Sequence, residues 1–258
     1  MVLTKHTADH YENFTRYSSS RDCVANTCTP APPSSDLICI IGTTEGVLKF
    51  EPYAPLTWVN RKDAPASKPR DHEPREIFSL DFLAGNHNVI FAGGRSNRIS
   101  MMDLRTSPDE WDTVRHKSSV GHLRSVNEHH LLAAGPRGAM SIYDLRFRKA
   151  RPHGHRPLLT FPGFRNGAHM HFGLDVEPSL GIVAAAHDDG HVGVYSLRSG
   201  KRLACPPVDR VATRGVVRGV MFQTLPRDRN PSLFLGIGPN VCKYSFGVRD
   251  EAGEVLED

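Results

Sequence analysis

Long apolar runs are missing from this chain of 258 residues. None approaches the ~18–20 residues that a membrane-spanning helix requires. The first ten residues, Met1 to His10, hold no apolar core of the kind a secretory leader carries, so a secreted product is not expected. Cysteine is sparse: Cys23, Cys28, Cys39, Cys205 and Cys242 are widely spaced and odd in number. That pattern argues against a disulfide framework and for free thiols in a reducing compartment, nuclear or cytoplasmic. Cys23-x4-Cys28 has no second Cys/His pair at finger spacing nearby, so it is not read as a zinc site. Helix-like stretches are also lacking. With 22 Gly and 19 Pro, the sequence reads as many turns instead.

Charge of one sign is not in excess. The net charge of +4 predicts weak attraction to anions and no particular partner. Its distribution is uneven. Arg146 to Arg156 holds five basic residues, two His and no acid, whereas Asp250 to Asp258 holds five acids and no base. Residues 1–35 carry Ser18-Ser19-Ser20 and a Pro/Ser run to Ser35, and they read as a disordered or weakly structured segment. Residues 60–75 read as a long surface loop. The folded domain is expected over 36–248, followed by an acidic tail, 249–258.

Within 36–248, short β-prone runs meet across turn residues. Leu37–Ile41 and Val47–Phe50 flank Gly42-Thr-Thr-Glu-Gly46. Asn88–Ala92 and Ile99–Met102 flank Gly93-Gly-Arg-Ser-Asn97, and Leu131–Ala134 and Met140–Tyr143 flank Gly135-Pro-Arg-Gly138. Gly181–Ala186 and Val192–Tyr195 flank His187-Asp-Asp-Gly190, and Leu233–Gly236 and Val241–Tyr244 flank Gly238-Pro-Asn240. Each is a hairpin signal. No helices separate them, so a doubly wound α/β fold with its nucleotide sites is disfavoured. Phe50, Met102, Tyr143, Tyr195 and Tyr244 recur at spacings of 52, 41, 52 and 49 residues. Such a period indicates propeller blades, which bury their faces by stacking. Further runs supply strands before and after most hairpins. The expected fold is all-β, a β-propeller of about five recognisable four-stranded blades.

Met102-Asp103-Leu104-Arg105 and Tyr143-Asp144-Leu145-Arg146 end two third strands, and Tyr195-Ser196-Leu197-Arg198 ends the next. These sit where WD40 repeats place their Trp-Asp dipeptide, with the Trp replaced each time. The Asp-x-Arg boxes resemble the docking motif of WD40 substrate receptors of cullin-4 RING ubiquitin ligases, and the segment order over Asp36 to Gly247 is similar to the cullin-4-associated factor 4 type. The resemblance implies a non-enzymatic scaffold. Asp103, Arg105, Asp144 and Arg146 would then meet the damaged-DNA-binding-protein adaptor, while other loops hold a protein substrate. An Arg just past a strand end presents a fork of donors suited to carboxylates and carbonyls; a local salt bridge would occupy the same fork. Arg95, Arg137, Asp188 and Asp189 lie in hairpin turns at the opposite end and are candidates for substrate contact, although turn geometry alone accounts for them equally well.

Other chemistry has little support. There is no Ser nucleophile elbow, no phosphate loop between a strand and a helix, and no paired acid and base. No catalytic residue, metal or cofactor is expected. His116 reads as a buried structural residue. His153-x-His155 and His169-x-His171 have no third ligand placed with them. The alternative is a general WD40 scaffold in an RNA- or chromatin-associated complex, with Arg146–Arg156 as its best feature. Seven blades need roughly 280–315 residues, and only about 212 are repeat-like. Either 1–35 and 60–75 hold further strands, or the propeller is incomplete.

Overall fold

The computed structural model describes residues 2–3, 15–16, 23–59, 76–147, 156–226 and 228–246. The chain is all-β, a five-bladed β-propeller whose blades are antiparallel meanders. It divides into two compact units, 1–123 and 124–258.

A two-stranded sheet pairs β1 (Val2–Leu3) with β2 (Thr15–Arg16). In the first blade β3 (Ala25–Pro30), β4 (Cys39–Thr43), β5 (Val47–Phe50) and β6 (Thr57–Trp58) pair in chain order. The second blade repeats this with β7 (Ile77–Leu83), β8 (Asn86–Gly94), β9 (Arg98–Asp103) and β10 (Asp112–Arg115). The third uses β11 (His122–Ser125), β12 (His130–Gly135), β13 (Ala139–Asp144) and β14 (Leu159–Thr160). The fourth uses β15 (Leu174–Glu177), β16 (Ile182–Ala186), β17 (Val192–Ser196) and β18 (Arg202–Leu203). Among the described residues the fifth has three strands, β19 (Gly219–Gln223), β20 (Ser232–Ile237) and β21 (Asn240–Ser245).

Second strands explain the architecture. Val89-Ile90-Phe91-Ala92, Leu131 to Ala134 and Ile182 to Ala186 are buried at every residue. A strand in a one-sided sheet alternates; a strand covered on both faces reads as a continuous apolar run. Each unit has its own core. Ile40, Ile77, Leu80, Ile90 and Met102 form one in the first unit. Leu132, Phe161, Val183, Tyr195 and Leu233 belong to one in the second. The second strand of the last blade departs from that continuous burial: in β20, Leu233 and Leu235 are buried but Gly236 is exposed.

A strand lies inside the segment 1–35, which by composition is expected to be weakly structured. Ala25–Pro30 is the first strand of blade one, paired along β4 from Ala25–Thr43 to Pro30–Cys39. Its Thr/Pro composition hid it. The backbone groups along the edge of the buried β4 that β5 leaves unpaired need partners, and this segment supplies them. The Pro/Ser run is the connector: Ser35 N–H donates to Pro32 O at 2.9 Å and Ala31 N–H to Ile38 O at 3.0 Å. The tail 249–258, the loop 60–75 and most of the basic stretch lie outside the described residues. No helix among the described residues is long and apolar enough to cross a membrane.

Candidate functional site

Three third strands end in the same corner. Leu104 N–H donates to Asn88 O at 2.8 Å, Leu145 N–H to His129 O at 2.8 Å, and Leu197 N–H to Gly181 O at 2.9 Å. The bond ties the residue after each strand to the start of the preceding one. It also sends the next side chain outward.

In blade two that side chain is Arg105. Its backbone N–H donates to Asp103 Oδ1 at 3.0 Å, closing the turn. Its Nε donates to the same oxygen at 2.9 Å and its Nη2 to Oδ2 at 2.7 Å. Blade three repeats the arrangement. Arg146 N–H and Nε each donate to Asp144 Oδ1 at 3.0 Å, and Nη2 to Oδ2 at 2.7 Å. Each carboxylate therefore holds its own Arg in a bidentate fork. The forks depress both acids: Arg146 holds Asp144 at about 2, and Arg105 holds Asp103 below the usual carboxylate range. The guanidinium side chains stay 60% and 54% exposed. Asp103 O also accepts from Trp111 Nε1 at 3.2 Å, which anchors the chain leading into β10.

Blade four carries Ser196 in place of Asp. Its hydroxyl accepts from Arg198 N–H at 3.2 Å and Ser199 N–H at 3.3 Å, so the turn survives. The carboxylate that would grip Arg198 is gone.

At the opposite end of the second unit, the segment after β14 joins two hairpin turns. Arg137 N–H donates to Gly167 O at 3.1 Å and Gly138 N–H to Asn166 O at 2.8 Å. Gly167 N–H donates to Asp188 Oδ2 at 2.7 Å. Asp189 accepts from His191 N–H at 3.2 Å and lies 3.6 Å from Arg165 Nη1. Burial pushes the Asp189 carboxyl up, but the His191 N–H and ring outweigh it and leave it below its ordinary value. Thr213 N–H donates to Gly190 O at 3.1 Å. Gly190 has φ +82°, and a Cβ there would strike Thr213. Arg137, Asp188 and Asp189 are thus brought together by residues 165–167. Sequence reasoning passed over Arg165, although Asn166-Gly167 beside it is a turn signal.

Arg95 belongs to the first unit. Its Nε lies 2.5 Å from Glu76 Oε2 and its guanidinium sits 5.9 Å from the Phe78 ring centroid.

Beneath the blade-four turn, His187 and Tyr195 are buried. His187 Nε2 meets the Tyr195 hydroxyl at 2.6 Å, and that hydroxyl donates to Gly163 O at 3.0 Å. Its single proton is thereby used, so His187 is the donor to the Tyr195 oxygen. Burial lowers the His187 pKa and raises Tyr195 to about 12. This network braces the blade. His116 is buried as well, its N–H donating to Asn97 O at 2.8 Å. His169 is exposed, its N–H held by Asn166 Oδ1 at 2.9 Å. Among the described residues no three His, Cys, Asp or Glu side chains gather as a metal site would require.

The sequence matches no protein-family model. It is 28% identical over 118 residues to WD repeat-containing protein 21 of Schizosaccharomyces pombe, covering 44% of this chain and 27% of that protein. It is 25% identical over 166 residues to the human DDB1- and CUL4-associated factor 4-like protein 2, covering 62% of this chain and 40% of that one. The matched part is thus less than half the length of these curated relatives. Among solved structures, the computationally designed Ika4 protein aligns with TM-score 0.50 and 16% identity over 70% of this chain and 96% of its own. The designed Ika8 protein aligns with TM-score 0.54 and 14% identity over 85% and 58%. These two speak for the fold alone.

Proposed function

We propose that this chain is a non-enzymatic scaffold acting as a substrate receptor of a cullin-4 RING ubiquitin ligase. Asp103, Arg105, Asp144 and Arg146 dock the damaged-DNA-binding adaptor, and loops at the other ends of the blades hold a protein substrate near the ligase's catalytic subunits. The work takes place in the nucleus or cytoplasm. The observation that carries the reading is the duplicated Asp-Leu-Arg corner. In both copies the Arg is ordered in advance by its own Asp yet remains more than half exposed. An ordered cation loses less freedom when a partner's carbonyl or carboxylate arrives. The similarity to a factor named for DDB1 and CUL4 supports the same reading.

Replacing Arg105 and Arg146 together with Ala abolishes co-purification with the adaptor while leaving the circular-dichroism spectrum of the folded state unchanged and lowering the melting temperature only slightly, because both forks are exposed. Undiminished co-purification overturns the docking claim.

The five basic residues of Arg146–Arg156, with no acid among them, favour a second reading. It is a scaffold in an RNA- or chromatin-associated complex, with nucleic-acid affinity that falls steeply with salt. Affinity purification with mass spectrometry separates the two: adaptor and cullin support the first, ribosomal or splicing subunits the second.

A further inference from the structure

The hairpin-turn end of the second unit carries a left-handed Arg. Arg137 has φ +61° and Gly138 φ +60°, and Ala139 N–H returns to Pro136 O at 3.3 Å, closing a β-turn whose two central residues are both left-handed. Both central positions of such a turn favour Gly, Asn or Asp. A side chain with a Cβ costs about 1–2 kcal/mol there. Other hairpin turns in this protein place Gly at left-handed positions, at Gly190 and Gly238. Arg137 thus presents an exposed cation on an unfavourable backbone.

The surroundings suit that cation. Residues 165–167 tie the Arg137 turn to the 187–190 turn, and Thr213, the residue before Arg214, is hydrogen-bonded to Gly190 O of that second turn. Arg137, Arg165 and Arg214 are all exposed. Among the described residues, neither Arg137 nor Arg214 pairs with a carboxylate. The two acids of the cluster are engaged: Asp188 holds the Gly167 N–H, and Asp189 holds His191 with Arg165 close by. The linked turns thus carry three exposed Arg residues and two engaged carboxylates.

We infer that this group of linked turns is a docking site for an acidic peptide segment of a partner protein. Its carboxylates meet Arg137 and Arg214 on either side of Asp188 and Asp189. A nucleic-acid strand fits less well, because an unbroken run of phosphates would cross the two Asp residues. The inference rests on the reading of the chain as a protein-interaction scaffold, but not on its ligase assignment.

The test is fluorescence anisotropy with a short labelled peptide that carries two pairs of glutamates separated by a neutral Gly/Ser spacer. Arg137→Glu and Arg214→Glu should each weaken binding by at least about fivefold, and added salt should weaken it further. Arg137→Gly removes the charge and suits the left-handed turn, so it should melt no lower than the parent while losing affinity. Arg198→Glu, at the other end of blade four, should leave peptide binding unchanged and serves as the control for net charge. No peptide binding, equal loss in the control, or tighter binding of a single-stranded oligonucleotide at the same Arg residues overturns the inference. Adaptor co-purification measured on the same variants separates this site from the Asp-Leu-Arg corners: it should persist in Arg137→Gly.

Discussion

The corners that end β13 and β17 share one backbone path and differ in one side chain. Both tie their Leu to the start of the preceding strand. Both close the turn with a side-chain oxygen, Asp144 Oδ1 in one and Ser196 Oγ in the other. Only Asp144 goes on to grip the Arg two residues later. The turn therefore needs an acceptor, and the ordered Arg needs a second acidic oxygen. Beneath the blade-four turn, Tyr195, His187 and Gly163 O form a buried chain.

The largest expected effect lies in that buried chain. Tyr195→Phe removes the hydroxyl between His187 and Gly163 O and should cost about 1–2 kcal/mol, read as a lower urea midpoint. A change of a few tenths would show that the network adds nothing and that the two blades differ only at their corners. Asp144→Ala should cost about 1 kcal/mol, because the turn N–H loses its acceptor along with the fork. Ser196→Ala should cost less, since no fork is lost with the hydroxyl; equal losses would mean that the Arg fork contributes nothing to stability.

Acid sharpens the contrast. The Asp144 carboxyl titrates at about 2 when folded, against an ordinary ~3.9. Its folded pKa is depressed, so its contribution is complete above the ordinary value and is lost as pH falls towards about 2. The stability gap between the parent and Asp144→Asn should be constant above about pH 5 and narrow between about pH 4 and pH 2. The gap for Ser196→Ala should stay level over the same range. A level gap for Asp144→Asn would refute the charged fork. The smallest effect is a gain. Ser196→Asp restores a carboxylate two residues before Arg198 and should add no more than about 0.5 kcal/mol, because the pair is exposed.

The hairpins were legible because their turn residues and apolar runs are local. Asn88–Ala92 and Ile99–Met102, for example, lie inside β8 and β9, with Arg95 in the turn between them. Ala25–Pro30 and Thr57–Trp58 were not legible. A strand of Thr, Asn and Pro pairs only because a buried neighbour presents an edge. Asp103 and Asp144 were legible as the residues that end two third strands. Whether their Arg residues were bound locally was open, since an exposed fork and a bound one are written with the same letters. Arg165 was overlooked because its importance comes from two turns distant in sequence.

Periodicity, turn chemistry and the apolar character of the second strands are local properties, and from them the sequence alone determined an all-β repeat with Asp-Leu-Arg ends on consecutive blades. Only tertiary structure decided that Thr/Pro-rich residues complete the first blade, that each Arg lies against its own Asp, and that residues 165–167 gather Arg137, Asp188 and Asp189. Those outcomes depend on which backbone groups and charges folding leaves within reach of one another, and linear spacing does not carry that information.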